Sequence, residues 1–357
     1  MAHARPFHTA SGSFLACAGL TAVELGPDGL FLDGYVEAFT KVDQRQGNHP
    51  RNLTASGDDE TAIAFPANLG LQLRYSVDAF TLRNDVIVSN KTQFDNDHVL
   101  LEQAFIDWQA AEILTVRAGR SQSTWLAWEG FHTQELFRVN HSAAWDWNVK
   151  NHSLGPQRPL VSDGIGIIAA NADRTWTAEF PIADDLLGNG PDSTALDKAV
   201  GGCVTWTVPN LGRLEVGVGF DPKSTLNGQG GSDDAYALEV NYHLTRWLHA
   251  GWFFAFECQI YRHPELNVDD DRYGNDLVAL AMANYTFLPG TASLTVMLDY
   301  VERGFAAKDN EIMEYAVAIL TRPHPQVRLN AEVFYWDEAA ANADSFGAAA
   351  VVLMKLP

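Results

Sequence analysis

The stretch LGLQLRYSV, residues 69–77, has an apolar or aromatic side chain at every odd position and a glycine or polar side chain at every even one. A period of two is typical of a β-strand, because successive side chains of a strand point to opposite faces. The same alternation recurs in residues 213–220, 236–244 and 327–335. Each window has one apolar face and one polar, often charged face, and helical spacing fits none of them.

The rest of the chain divides into similar segments, which together predict about sixteen strands. They cover residues 31–41, 66–76, 79–89, 100–109, 113–120, 164–171, 174–181, 199–208, 212–220, 235–244, 247–258, 276–287, 291–301, 311–320, 326–336 and 346–355. Most of these segments have roughly the 9–11 residues that a tilted strand needs to cross a bilayer. An even number of strands is also expected of a bacterial single-chain barrel.

The connections between these segments alternate between short and long. The short ones fall near 77–78, 110–112, 172–173, 209–211, 245–246, 288–290 and 322–325, and the longest connection spans residues 121–163. Short turns on one rim and long loops on the other are typical of outer-membrane barrels, whereas a propeller would repeat every four strands. We therefore predict an all-β fold, a single closed transmembrane antiparallel β-barrel of about 16 strands. Both termini should lie at the short-turn rim, where strand 31–41 pairs with strand 346–355.

The composition is compatible with this fold. Of the 357 residues 46% are hydrophobic, which excludes a wholly disordered chain. The net charge of −21 argues against a nucleic-acid partner. No run approaches the roughly 18–20 apolar residues of a membrane-spanning helix, whereas a membrane barrel places its apolar side chains at every second position.

The N-terminal segment has a weak secretory-signal pattern. Arg5 precedes the apolar stretch 14–23, but no small-x-small cleavage site follows it clearly. We predict a leader or a disordered segment over residues 1–30 and the barrel over residues 31–357.

If the apolar faces contact lipid, the polar alternates line the interior. So many charges remain ionised only where water reaches them, and sixteen strands leave room for an aqueous channel. The predicted pore-lining residues are Arg74, Arg83, Asp85, Arg117, Glu179, Arg213, Glu215, Glu239, Glu257, Asp299, Glu314, Arg328 and Glu332.

The connection 121–163 is the candidate constriction loop, because its many aromatic side chains favour a position inside the barrel. Its basic groups would then face acidic wall residues across the pore. The alternative is a surface loop that packs on its neighbours, and the spacing of its histidines matches no metal-ligand pattern. The candidate constriction residues are Trp125, Trp128, His132, Arg138, His141, Lys150 and Arg158.

Two segments carry a family resemblance. The run LEQAFIDW at residues 101–108, followed by VRAGR at 116–120, resembles the central signature of bacterial porins, as does the opening GYVEA at 34–38. The chain looks most like OmpL-like β-barrel porins and their phosphate-selective relatives. Trp128-Glu129-Gly130 departs from the usual order before the constriction loop, and the C-terminus lacks the usual final aromatic residue.

We therefore expect an outer-membrane porin of a Gram-negative bacterium that allows passive diffusion of small hydrophilic solutes or ions. Its expected partners are membrane lipid and these solutes, and a homo-oligomer such as a trimer is compatible with the resemblance. No catalytic motif is present, so no enzyme, cofactor or metal is predicted. Two alternatives remain: a non-transporting barrel that acts as a surface scaffold or adhesin, and a soluble all-β carbohydrate-binding protein.

Overall fold

A computed structural model describes residues 23–24, 29–45, 60–65, 67–89, 99–121, 162–183, 199–208, 212–221, 235–245, 251–264, 273–302, 311–339 and 344–355. The regular secondary structure of these residues consists of β-strands. Their bounds are β1 Val23–Glu24, β2 Leu30–Arg45, β3 Glu60–Ala64, β4 Ala67–Val77, β5 Phe80–Ser89, β6 Val99–Ala111, β7 Leu114–Ser121, β8 Ser162–Ala170, β9 Trp176–Ala183, β10 Ala199–Val208, β11 Gly212–Asp221, β12 Ala235–Thr245, β13 Trp252–Pro264, β14 Tyr273–Leu288, β15 Ala292–Glu302, β16 Glu311–His324, β17 Val327–Glu338 and β18 Ser345–Lys355.

Sixteen of the described strands, β2 and β4 to β18, belong to one antiparallel sheet in which each strand pairs with two neighbours. From β4 to β18, every strand pairs with the next one along the chain. β18 pairs with β2, where Lys355 lies opposite Tyr35, and β2 pairs in turn with β4. The short strands β1 and β3 add to β2. The predicted pairing of the first long strand with the last is confirmed, and β1 lies within the segment expected to be a leader.

Each of the sixteen predicted segments overlaps one of these strands, and 199–208 has the predicted bounds. The largest error concerns the segment 247–258, because β13 begins only at Trp252. Gly251 precedes it with a φ of 111°, a left-handed conformation that ends the connection, and its carbonyl accepts a hydrogen bond from the Thr286 amide at 2.8 Å. The turn predicted at 245–246 is therefore wrong, and the connection covers residues 246–251.

Because consecutive strands are antiparallel, the connections lie alternately at the two ends of the sheet. One end has the connections 78–79, 112–113, 171–175, 209–211, 246–251, 289–291 and 325–326, together with the start of β2 and the end of β18. The other end has 46–59, 90–98, 122–161, 184–198, 222–234, 265–272, 303–310 and 339–344. The connections do not alternate strictly between short and long, because 246–251 at the first end is as long as 339–344 at the second. We call these ends the short-turn end and the long-loop end.

The burial of the two faces is the reverse of that in a water-soluble protein: charged side chains are buried on one face, and large apolar side chains are exposed on the other. Glu257 and Glu314 have no exposed surface, whereas Ile165, Phe180 and Phe346 are 59%, 53% and 56% exposed. Charged residues are rarely buried in soluble proteins, and large apolar patches are rarely exposed. We call the face with the buried charges the polar face and the other the apolar face.

Aromatic rings of the apolar face stack near the short-turn end. Trp176 and Trp206 stack with ring centroids 5.5 Å apart, and Trp252 lies 4.7 Å from Tyr285. Each pair joins two neighbouring strands, so the rings stabilise the strand pairing as well as covering the strand ends.

On the polar face, the ring of Tyr35 packs against Gly70 of the neighbouring strand. A Cβ atom at Gly70 would lie 2.2 Å from Cε1 of Tyr35, and its three nearest atoms would all belong to that ring. The glycine therefore provides the surface on which the ring packs, and the ring stays close to the sheet.

We predict that Gly70→Ala lowers the free energy of unfolding in detergent by about 1–3 kcal/mol, because the new methyl group displaces the Tyr35 ring. The same substitution in a Tyr35→Ala background should have little further effect. Urea titrations followed by tryptophan fluorescence measure both differences. An equal loss in the two backgrounds would contradict the packing of this ring on Gly70.

Candidate functional site

The polar face of β5 and β6 carries a connected group of ionic and amide side chains. Arg83 and Asp85 lie two residues apart on β5 and so point to the same face, and their nearest atoms are 2.6 Å apart. Gln103 lies opposite Asp85 in the register and donates a hydrogen bond from Nε2 to Oδ2 at 3.0 Å. The Asp85 carboxylate thus holds a guanidinium group and an amide on two strands.

A second ion pair joins β6 to β7. Arg117 lies opposite Asp107 and donates two hydrogen bonds to its carboxylate, at 2.8 and 2.9 Å. The guanidinium carbon is 4.1 Å from the ring centroid of Phe105, which precedes Asp107 by two residues on the same face. Bidentate pairs of this kind are among the stronger ionic interactions, and an aromatic face adds a favourable electrostatic contact. The buried charge of Arg117 is therefore held in one orientation.

Glycine on β8 leaves space beside this pair. Gly166 lies opposite Arg117 on one side and Pro181 on the other, and a Cβ atom there would be 3.6 Å from Oε1 of Glu179. The Glu179 carboxylate therefore extends over Gly166, towards the strand that carries Arg117.

β10 and β11 contribute a further group near the short-turn end. The Glu215 carboxylate accepts a hydrogen bond from the Thr205 hydroxyl at 2.9 Å and one from Nη2 of Arg213 at 2.5 Å. Thr205 and Glu215 are register partners, and Arg213 lies two residues from Glu215 on the same face.

Carboxylates dominate the polar face from β13 to β16. Glu257 lies opposite Leu280, Leu280 opposite Asp299, and Asp299 opposite Glu314. Neighbouring strands are about 4.8 Å apart, so the three carboxylates of this row lie within about 15 Å along the sheet. We call Glu257, Asp299 and Glu314 the acidic row.

An apolar cluster lies beside the acidic row on the same face, although only polar side chains were expected there. Its buried members include Met282, Met297 and Phe334. Met282 and Met297 lie opposite each other, as do Phe334 and Ala316. These residues form the next row of the polar face, two residues along each strand from the acidic row and nearer the short-turn end. The remaining members are Ala255, Leu280 and Ala316, with Phe253 packed against them.

Register places the thirteen residues predicted to line the pore on the polar face. Arg74 and Arg83 are partners, and the Arg74 guanidinium lies 5.1 Å from the ring centroid of Phe31. Arg328 and Glu332 alternate with the exposed residues Leu329 and Val333 on β17. For Glu239 only the register is described, which places it between Gly217 and Gln259. That these residues line a water-filled pore stays a prediction.

Several polar-face residues were not selected from the sequence. Asp107, Gln103, Asn284 and Thr295 are buried there, and Lys355 occupies the last position of β18. Asp107 lies between the apolar residues Ile106 and Trp108, and this alternation assigns it to the polar face.

The candidate constriction residues Trp125, Trp128, His132, Arg138, His141, Lys150 and Arg158 lie outside the described residues. Within the described ranges no group of three or more His, Cys, Asp or Glu side chains could hold a metal ion. The same ranges contain no helix with the length and apolar character needed to span a membrane.

Solved bacterial outer-membrane channels have a similar fold. The outer-membrane channel DcaP of Acinetobacter baumannii aligns with a TM-score of 0.64 and 12% identity, over 94% of this chain and 100% of that one. The anion-selective porin of Comamonas acidovorans aligns with a TM-score of 0.64 and 11% identity, over 92% and 100%. OprB of Pseudomonas putida aligns with a TM-score of 0.65 and 8% identity, over 92% and 94%.

No protein-family model and no curated protein sequence matches the chain. At these identities the structural likeness concerns the fold. It confirms the prediction of a porin-like, all-β antiparallel architecture.

Two bidentate Arg–Asp pairs differ in burial and so allow a matched comparison. The side chains of Arg117 and Asp107 are 4% and 8% exposed, whereas those of Arg120 and Asp163 are 35% and 44% exposed. We predict that Asp107→Asn lowers the free energy of unfolding by about 3–5 kcal/mol, because it removes the carboxylate that is bonded to a buried guanidinium group. Asp163→Asn should cost about 1 kcal/mol or less. Denaturant titrations in detergent compare the two, and equal losses would contradict the buried role of the Arg117–Asp107 pair.

Proposed function

We propose that the chain is an outer-membrane porin that allows small hydrophilic solutes or ions to diffuse passively through its interior. The observation that carries this proposal is the burial of the two faces, which is the reverse of that in a water-soluble protein. Large apolar side chains are exposed along the strands, while carboxylates and guanidinium groups are buried on the opposite face. A lipid bilayer is the solvent in which such an apolar exterior is stable.

The circle of strand pairings supports a closed transmembrane barrel. β9 pairs with β10, β18 with β2 and β2 with β4, so no long strand of the described sheet has a free edge. Closure is required in lipid, because an unpaired strand edge would leave backbone groups without hydrogen bonds. Sixteen strands enclose a lumen wide enough for water.

The ionic groups of the polar face support a wet interior. Arg74 is exposed on that face, near the short-turn end. The hydroxyl groups of Ser76 and Thr81 lie beside it, 3.2 Å apart. Water in the lumen would keep such groups solvated at little cost, whereas a dry core would impose several kcal/mol for each unpaired charge.

The likeness in fold to channels of several Gram-negative bacteria supports an outer-membrane location, with membrane lipid and small solutes as partners. A trimer belongs to the proposal because a further solved structure with a similar fold, OmpT of Vibrio cholerae, is described in a trimer form; it aligns with a TM-score of 0.57 and 12% identity over 92% of this chain and 100% of that one. The relationship to OmpL-like and phosphate-selective porins is also a proposal. It is supported by the segments at 101–108 and 116–120, which form the neighbouring strands joined by the Asp107–Arg117 pair.

We also propose that residues 121–163 narrow the pore. The polar face of the strands that follow is made of small side chains towards the long-loop end, with Gly166, Pro181, Ala199, Gly217 and Gly219 as examples. Such a wall leaves space for a loop that turns inward from β7.

Single-channel recording tests the function directly. The purified protein, reconstituted in a planar bilayer in potassium chloride, should produce stepwise conductance increments that grow with salt concentration. A scaffold or adhesin with a blocked lumen would insert without conducting, and a soluble protein would not insert. Either result would overturn the proposal.

The apolar face generates a second prediction. Val216→Arg should impair insertion by about 2–4 kcal/mol if its site lies near the bilayer midplane, and Leu71→Arg and Leu329→Arg should do the same. Glu215→Gln, the adjacent position on the polar face, is the matched control and should have only a mild effect on folding, because the Arg213 side chain that it leaves is 24% exposed. Folding yield in lipid vesicles, read from the shift of the folded form on gels, measures the effect. Comparable yields for the two kinds of variant would contradict the assignment of the faces.

The acidic excess predicts a weak preference for cations. The thirteen predicted lining residues contain more carboxylates than guanidinium groups, and the potential they create extends over about 8–10 Å at physiological salt. The reversal potential across a potassium chloride gradient should show this preference and its decline as salt rises. An anion preference that disappears in Arg138→Ala would show instead that the 121–163 loop determines selectivity.

A further inference from the structure

The apolar face of β5 carries an asparagine, Asn84, midway along the strand. Its register partners are Leu73 on β4 and Ala104 on β6. Register partners point to the same side of a sheet, and the exposed Ile106, two residues after Ala104, identifies this side as the apolar face. The Asn84 carboxamide is therefore directed outwards, among apolar neighbours.

This carboxamide forms no hydrogen bond within the described part of the chain. Amides of the polar face differ in this respect, because Gln103 donates to Asp85 at 3.0 Å and Asn284 donates to Thr295 at 2.8 Å. A carboxamide has two donor hydrogens and an acceptor oxygen, and the acyl chains of a bilayer satisfy neither. A polar partner from outside the sheet would therefore stabilise Asn84.

A second polar group continues the row of Asn84 across the sheet. Arg120 on β7 lies opposite Ala104, and it donates two hydrogen bonds to the carboxylate of Asp163 on β8, at 2.9 and 2.7 Å. The exposed Ile165, two residues after Asp163, shows that this ion pair also lies on the apolar face. We call Asn84, Arg120 and Asp163 the polar row.

Two alanines leave little bulk beside the polar row. Ala104 lies between Asn84 and Arg120, and Ala118 precedes Arg120 by two residues on β7. Large side chains such as Phe180 and Val218 instead project from β9 to β11. In membranes, small residues let two protein surfaces approach closely, and polar side chains hydrogen-bond across the contact. This part of the apolar face is therefore suited to contact with protein.

A second copy of the chain has the chemistry that the polar row needs. A carboxamide both donates and accepts, so Asn84 side chains related by a symmetry axis can bond to one another. The Arg120–Asp163 pair carries no net charge, so identical surfaces do not repel there. Copies that insert in the same direction also place their polar rows at the same depth in the bilayer.

We propose that the polar row lies in the interface between copies of this chain, where Asn84 is hydrogen-bonded to a neighbouring copy. The inference rests on the proposed function, because a bilayer is the solvent in which outward polar groups favour a protein neighbour. It deepens the proposed trimer by assigning the surface through which each copy contacts the next.

Photo-crosslinking in lipid vesicles tests the location of the interface. A benzophenone maleimide is attached to a single cysteine, Ala104→Cys, in a protein whose three native cysteines are replaced by serine. The matched control is Ala281→Cys, an exposed alanine of β14, which lies eight strands from β6 in either direction around the sheet. Each labelled protein is purified and mixed with an excess of unlabelled wild-type protein.

Irradiation should link position 104 to a second copy, which gives a band of twice the monomer mass on denaturing gels. Position 281 should give monomers linked to lipid. A product with lipid alone at position 104, or equal yields of the double-mass band at the two positions, would overturn the proposal.

Substitution of Asn84 tests the hydrogen bond. Asn84→Leu removes the carboxamide and makes the face more apolar, so it should insert at least as well as wild type. Its association, measured by sedimentation in a mild detergent, should be about tenfold weaker, because a hydrogen bond between copies is lost. Asn84→Gln retains a carboxamide and should associate more tightly than Asn84→Leu. Wild-type association in Asn84→Leu would overturn the role of this residue.

Planar-bilayer recording separates this interface from the proposed function. Conductance without a double-mass product at position 104 would support the channel and overturn the interface. The double-mass product without conductance would support the interface and overturn the channel.

Discussion

The pairing of β18 with β2 is the contact on which the remaining structure depends. It gives the last strand a partner in the first long one and leaves each of the sixteen strands hydrogen-bonded on both sides. Successive side chains of a strand point to opposite faces, so in a sheet paired in this way the side chains of every strand alternate between the polar and the apolar face. A shift of the register by one residue would exchange Leu353 and Met354 between these faces, and with them the buried and exposed surfaces of the strand.

The polar face is not uniform, and its charges are arranged in two different ways. From β5 to β7 the arginines are bonded to carboxylates, as in the Arg117–Asp107 pair. From β13 to β16 the acidic row lies next to an apolar cluster. The polar face therefore has paired charges from β5 to β7 and carboxylates beside apolar side chains from β13 to β16.

Most of the strands could be predicted because polar and apolar residues alternate in them, and this pattern also assigned residues such as Arg74 and Glu332 to one face. The alternation is absent from residues 277–283, LVALAMA, where both faces are apolar. There only the register with β13 and β15 reveals that Leu280 and Met282 share the face of Glu257. The late start of β13 depends on the backbone conformation of Gly251, which no periodicity reports. The pairing of Arg117 with Asp107 likewise depends on register rather than on sequence spacing.

The central claim is that the apolar face contacts lipid and the polar face contacts water. Single cysteines at neighbouring positions test it most directly: Val216→Cys and Glu215→Cys, in a protein whose Cys17, Cys203 and Cys258 have been replaced by serine. In lipid vesicles, a membrane-impermeant charged maleimide should label the cysteine at position 215 and leave the one at position 216 unlabelled, while a lipid-soluble maleimide should label position 216. Equal labelling of the two positions by the charged reagent, or the reverse preference, would contradict the account.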